Sequence, residues 1–125
     1  MKRYILLILI FCLLLSACSA TVDLTENDSG QKILEISKDP TDYLGKTIRI
    51  SGIYSYEEFG GTTYHYVLKA TESEENLGFE FRWKGEYPEA GTPILVIGKL
   101  VSETVDGYNF IYIRATELHV LTEIR

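Results

Sequence analysis

The seven residues Leu77–Trp83 alternate large apolar side chains (Leu77, Phe79, Phe81, Trp83) with Gly78, Glu80 and Arg82. A repeat of two sends successive side chains to opposite faces, so this stretch must be an extended strand with one face in a core. A helix, with its 3.6-residue repeat, cannot gather that set on one side. Four further stretches read the same way. Lys46–Tyr56 sets Ile48 and Ile50 against Thr47, Arg49 and Ser51 until Gly52 interrupts it, as glycine does at bulges and sharp bends. Thr63–Ala70 sets Tyr64, Tyr66 and Leu68 against His65, Val67 and Lys69. Pro93–Glu103 is apolar on both faces at Ile94-Leu95-Val96-Ile97 and is expected to be the most buried strand. The Asp106-Gly107 pair suits a tight reversal into a last strand, Tyr108–Val120. Before the strands, Gln31–Lys38 is expected to form a short helix with Ile33, Leu34 and Ile36 facing the body. Ser29 is its candidate cap, and Asp39-Pro40 its end.

Five short antiparallel strands leave exposed edges unless the sheet closes. A long first strand with a glycine at its middle can bend and serve both halves of a closed barrel, which is the logic of the OB-fold. The expected fold is all-β, a five-stranded OB-like barrel with a short N-terminal helix. The run Tyr43-Leu44-Gly45-Lys46-Thr47-Ile48-Arg49-Ile50-Ser51-Gly52 resembles the opening of small bacterial OB-fold domains, the tRNA-anticodon-like group often found on lipoproteins. Gly91 to Gly98, then Asp106-Gly107-Tyr108 and Ala115-Thr116-Glu117-Leu118, resemble the last two strands of such domains. The likeness covers about Asp39 to Leu121, rests on structural residues and implies no catalytic ones. Lys84–Thr92 carries Pro88 and is too short for the helix these domains usually place between their third and fourth strands.

The chain opens on Met1-Lys2-Arg3, followed by twelve apolar residues, Tyr4 to Leu15, and then Ser16-Ala17-Cys18. Twelve residues fall short of the roughly twenty needed to span a bilayer core. They match the apolar region of a secretion signal, with small residues at the cut. Leu15-Ser16-Ala17-Cys18 resembles the lipobox of bacterial lipoproteins, which implies cleavage before Cys18 and a diacylglyceryl group on its sulfur. Residues 1–17 are therefore expected to be a cleaved signal peptide, and residues 18–30, acidic and poor in large apolar groups, a lipidated tether. Residues 31–125 are the barrel domain. The expected location is the extracytoplasmic face of the cell membrane, held there by lipid on Cys18.

Without Lys2 and Arg3 the remaining chain has 10 bases against 18 acids. Such a balance repels phosphate backbones, so nucleic acid is not an expected partner. No serine elbow, phosphate-binding glycine loop or cysteine nucleophile is present. His65 and His119 lie far apart, and no ligand pair has metal-site spacing, so neither metal nor cofactor is expected. Glu72, Glu74 and Glu75 read as a solvated acidic loop. The acids of the domain lie mainly in loops and the bases mainly on strands. Arg49, His65, Lys69 and Arg82 are accordingly the candidate ligand-binding residues, expected to point away from the core on the face of the first three strands. An arginine fork suits an anionic or sugar-like ligand. Phe59 and Tyr87, both in loops, are the candidate stacking rings. The expected function is a non-enzymatic binding module. The alternative is an accessory interaction module that meets another envelope protein through an exposed strand edge.

Overall fold

The computed structural model of the chain describes residues 20–70 and 76–122. Among the described residues there are six strands, β1 (Thr21–Leu24), β2 (Thr47–Phe59), β3 (Thr62–Ala70), β4 (Asn76–Arg82), β5 (Pro93–Val105) and β6 (Tyr108–Val120), with one α-helix, α1 (Gly30–Lys38), and a single 3-10 turn at Thr41–Tyr43. Their order is β1-β2-β3-β4-β6-β5, and β2 also pairs with β5, so β2 to β6 close on themselves. Within the barrel only the β4–β6 pair is parallel. This is the five-stranded OB barrel, and it leaves β1 as an added strand, parallel to β2. No helix among the described residues is long and apolar enough to cross a membrane.

The interior is filled by alternate residues of each strand, among them Ile48, Ile50, Val67, Phe79, Phe81, Ile94, Val96, Leu100 and Ile113. Between β4 and β5 the chain is a loop, as the shortness of Lys84–Thr92 requires. The helix instead comes from the N-terminal side. α1 packs near β4 and sends Ile33 and Ile36, both fully buried, into the core. Ser29 sits at its N-cap but makes no side-chain cap bond, contrary to expectation. Its backbone is already helical (φ −73°, ψ −6°), whereas a capping side chain needs an extended backbone.

Two further expectations are corrected. Residues 18–30 are not simply a tether, because Thr21–Leu24 pairs with Thr47–Ile50 and Leu24 is only 1% exposed. Val22 and Leu24 provide a short alternation that the acidic composition around them hides. The faces of β3 are also reversed from the expected order. Val67 stands opposite Phe79, and cross-strand partners share a face, so the inward Phe79 fixes Val67 inward and Lys69 with it. Tyr64, Tyr66 and Leu68 lie on the outer face, half-buried.

β2 holds this arrangement together by changing neighbours part-way. One of its edges pairs with β1 up to Ile50 and with β3 from Ile53 onward. Gly52 lies at the handover, where a Cβ would stand 2.5 Å from the Leu68 carbonyl oxygen. The Lys69 side chain enters the same gap. Its ammonium donates to the Leu24 carbonyl (2.9 Å), the Ser51 carbonyl (3.1 Å) and Ser51 Oγ (3.2 Å). Ser51 Oγ in turn donates to the Thr25 carbonyl at 3.2 Å. The buried lysine is thus a clip that ties β1 and its following turn to the barrel.

Replacing Lys69 by methionine keeps the volume and leaves these acceptors without their donor. We expect a loss of about 2–3 kcal/mol, which is roughly 10 °C or more in the melting temperature of a domain this size. Amide exchange at Thr21–Leu24 should accelerate most; unchanged protection there would show that β1 does not depend on the lysine.

Candidate functional site

The four candidate bases do not form one patch. Arg49 lies on the outer face of β2, its Nη1 3.5 Å from Asp23 Oδ2 and 3.5 Å from Thr25 Oγ1. It borders a polar hollow of about 320 Å³ with Glu26, Asn27 and Ser51. Hydrogen bonds from Thr25, helped by the charges of Arg49 and Lys69, hold the Asp23 carboxyl below its ordinary range. Lys69 is buried in the clip, which corrects the expectation that it faces outward. Burial lowers its pKa, and the charges of Asp23 and Glu26 oppose that shift. Only His65 and Arg82 share a site.

That site is a groove of about 610 Å³ between the β2–β3 and β5–β6 hairpins, floored by the end of β4. The hairpins extend well past the barrel because their turns match strand twist. Gly60 and Gly61 have φ of 60° and 81°, and Asp106 and Gly107 have φ of 51° and 83°, the left-handed pairs that tight hairpins require. Thr62, Thr63, Tyr64 and His65 line one side, and Val105, Asp106, Tyr108 and Phe110 the other. On the floor, Arg82 Nε bonds Glu80 at 3.0 Å and its Nη1 bonds Glu103 at 2.8 Å. Its guanidinium lies 3.7 Å from the Tyr112 ring centre. Tyr108, Phe110 and Tyr112 occur at every second position of β6, so they share a face at a spacing of about 6.8 Å.

Beside the floor the rings stack on His65. Tyr87 lies parallel to the imidazole at 3.6 Å between centres and 9° between planes. Its hydroxyl accepts the Trp83 backbone N–H at 2.9 Å, which fixes the loop that carries it. On the other side Tyr54 Oη is 2.7 Å from His65 Nδ1. Burial pushes the Tyr54 phenol up and the His65 imidazole down. The phenol and the imidazole share this hydrogen bond, and burial favours the neutral imidazole.

Of the two loop aromatics singled out in the sequence, Tyr87 covers His65 and Phe59, 76% exposed, stands at the β2–β3 tip. Sequence reasoning missed Glu103, Tyr108 and Phe110. The alternation Tyr108-Phe110-Tyr112 was the available signal, since it repeats the argument that placed Leu77–Trp83. Among the described residues no group of three His, Cys, Asp or Glu side chains is placed to hold a metal ion. Cys18 and Glu72, Glu74 and Glu75 lie outside the described residues.

No family model matches the chain, and neither does any curated protein. Among solved structures, the dimeric N-terminal domain of the PriB protein from Thermoanaerobacter tencongensis is similar to it with a TM-score of 0.43. The two are 18% identical over 62% of this chain and 97% of that one. So distant a likeness carries no functional information.

The lowered imidazole pKa sets the sign of an acid response. As pH falls through 6.5 the unfolded chain takes up its proton first, so the folded state loses stability in that window. We expect the melting temperature of the wild type to drop by a few degrees more between pH 7 and pH 5 than that of His65→Phe, which keeps the ring stack but cannot protonate. Equal drops would show that His65 is not the group responsible.

Proposed function

We propose that this chain is a membrane-anchored, extracytoplasmic lipoprotein whose barrel is a non-enzymatic binding module for a sugar-like ligand. The observation that carries the reading is the composition of the hairpin groove. Tyr64, Tyr87, Tyr108 and Phe110 bring aromatic surface to the lining, and Glu80, Arg82 and Glu103 bring fixed polar groups. A sugar ring presents C–H faces to aromatic rings and hydroxyls to carboxylates and guanidinium, so both halves of the groove find a use. The charge favours this ligand over an anion. Three carboxylates (Glu80, Glu103, Asp106) line the groove against one guanidinium, and that guanidinium already holds two of them. The non-enzymatic reading draws on the same bonds. His65 Nδ1 is occupied by Tyr54, and Glu80 and Glu103 are tied to Arg82, so three of the groove's titratable side chains are already engaged within the protein.

The anchor rests on the basic start, the twelve apolar residues and Leu15-Ser16-Ala17-Cys18. Two or more acyl chains on one cysteine give durable attachment, where a single chain is marginal. A second reading, a docking module for another envelope protein, is favoured by exposed apolar side chains on the hairpin arms. Tyr56, Phe59, Val105 and Tyr108 are all exposed there.

Calorimetric titration of the protein with uncharged oligosaccharides, uronate-containing oligosaccharides and oligonucleotides tests the ligand. Uncharged sugars should bind best. Tyr108→Ala should weaken them on the order of tenfold, about 1.4 kcal/mol, without lowering the melting temperature, since this ring is 71% exposed. Binding of oligonucleotides alone, or indifference to Tyr108→Ala, would count against the reading. For the anchor, labelled fatty acid should enter the wild type during growth and should not enter Cys18→Ala.

A further inference from the structure

Register fixes where the unused bases of the barrel stand. Cross-strand neighbours run in one row from Thr21 on β1 through Thr47 on β2 and Lys99 on β5 to Arg114 on β6. Ile48, Gly98, Leu100, Ile113 and Ala115, which flank these positions along their strands, are buried, so the row faces outward. Strands lie about 4.8 Å apart, which puts Arg114 about 15 Å around the barrel from Thr21. Beside Arg114 is a shallow hollow of about 490 Å³ lined by Arg82, Trp83, Lys84, Arg114, Ala115 and Thr116, none of them acidic. Arg82 has its carboxylates, but Lys84, Lys99 and Arg114 have no ion-pair partner among the described residues. In a chain with 18 acids, three unpaired bases on one face call for an acidic surface outside the molecule.

Chain length says which surface. Cys18 precedes Thr21 by three residues, and three residues reach at most about 11 Å. A lipid on Cys18 would therefore hold the start of this row close to the headgroup layer, since β1 begins where a longer tether had been expected.

We propose that this face, Lys99 and Arg114 with the Trp83–Lys84 hollow, docks on the anionic phosphate headgroups of the membrane that holds the Cys18 lipid. The inference rests on the anchored reading given above. The lipid supplies attachment, and the bases supply orientation. Each base at an anionic bilayer surface contributes roughly fivefold, the equivalent of about 1 kcal/mol. The Trp83 indole packs in part against the core and also lines the hollow, and an indole suits the bilayer–water interface. Removing Lys99 and Arg114 together should weaken the docked state on the order of thirtyfold.

The test uses the full chain, expressed with its leader, purified from membranes and placed in nanodiscs that carry a gadolinium-chelate headgroup lipid. Beyond Thr21–Leu24, which the anchor keeps near the headgroups in either disc, the amides of Lys84, Lys99 and Arg114 should be broadened most in discs of equal phosphatidylglycerol and phosphatidylcholine. In phosphatidylcholine alone, or in Lys99→Gln/Arg114→Gln, the broadening should spread evenly over the barrel. Both residues are exposed, so the variant should melt with the wild type. Intact mass of the same preparation reports the Cys18 lipid independently. Lipid present with the same broadening pattern in both disc types would overturn the docking face alone. A chain without lipid on Cys18 would overturn the anchor and the docking face with it.

Discussion

The architecture depends on one handover. β2 must pair with β1 along its first residues and with β3 along its last, and the two neighbours cannot occupy the same edge at the same place. Between Ile50 and Ile53 this edge of β2 passes from one ladder to the other, which calls for an extra donor at the junction. Lys69 meets this need with an ammonium aimed at Leu24, Ser51 and the Ser51 hydroxyl. A buried charge is costly by itself but tolerable when its donors all find acceptors. The absence of a side chain at Gly52 lets Leu68 approach closely enough for β3 to take over the edge. From that point β2 runs on with β3 as a free-standing ribbon, and this ribbon is one wall of the groove.

The bases of the domain have divided into separate tasks. Lys69 is structural, and Arg49 holds Asp23 and the turn after β1. Arg82 organises the groove floor by binding two carboxylates and covering Tyr112. Among the described residues Lys84, Lys99 and Arg114 make no ion pair. A groove rich in carboxylate and aromatic surface and an adjoining basic face, with Arg82 lining both, are complementary to different partners. The proposed sugar-like ligand and the proposed membrane surface follow from that segregation of charge.

Most of the barrel was legible in the sequence because its strands alternate cleanly, and Leu77–Trp83, Pro93–Glu103 and Tyr108–Val120 lie within one or two residues of the observed strands. The misreadings share a cause. In Thr63–Ala70 the more apolar face, Tyr64, Tyr66 and Leu68, is the one that turns outward, so alternation alone pointed the wrong way. The answer came from pairing with Phe79, a contact distant in sequence. β1 has only Val22 and Leu24 to mark it within an acidic stretch, and its stability comes from β2 and Lys69 rather than from its own pattern. The four candidate bases were grouped by strand and side, but barrel closure distributes strand faces around a circumference. His65 and Arg82 came together because β3 and β4 are neighbours and the β5–β6 hairpin closes over them.

A sugar-like ligand held in the hairpin groove would leave its mark on the residues that line it. The most direct measurement is an amide chemical-shift map of the isotope-labelled protein during titration with an uncharged oligosaccharide that binds it. The saturating shifts should fall on Tyr64, His65, Arg82, Tyr87, Tyr108 and Phe110, with the hollow at Arg49 unaffected. Shifts centred on Arg49, Thr25 and Glu26, with the hairpin residues unmoved, would contradict it.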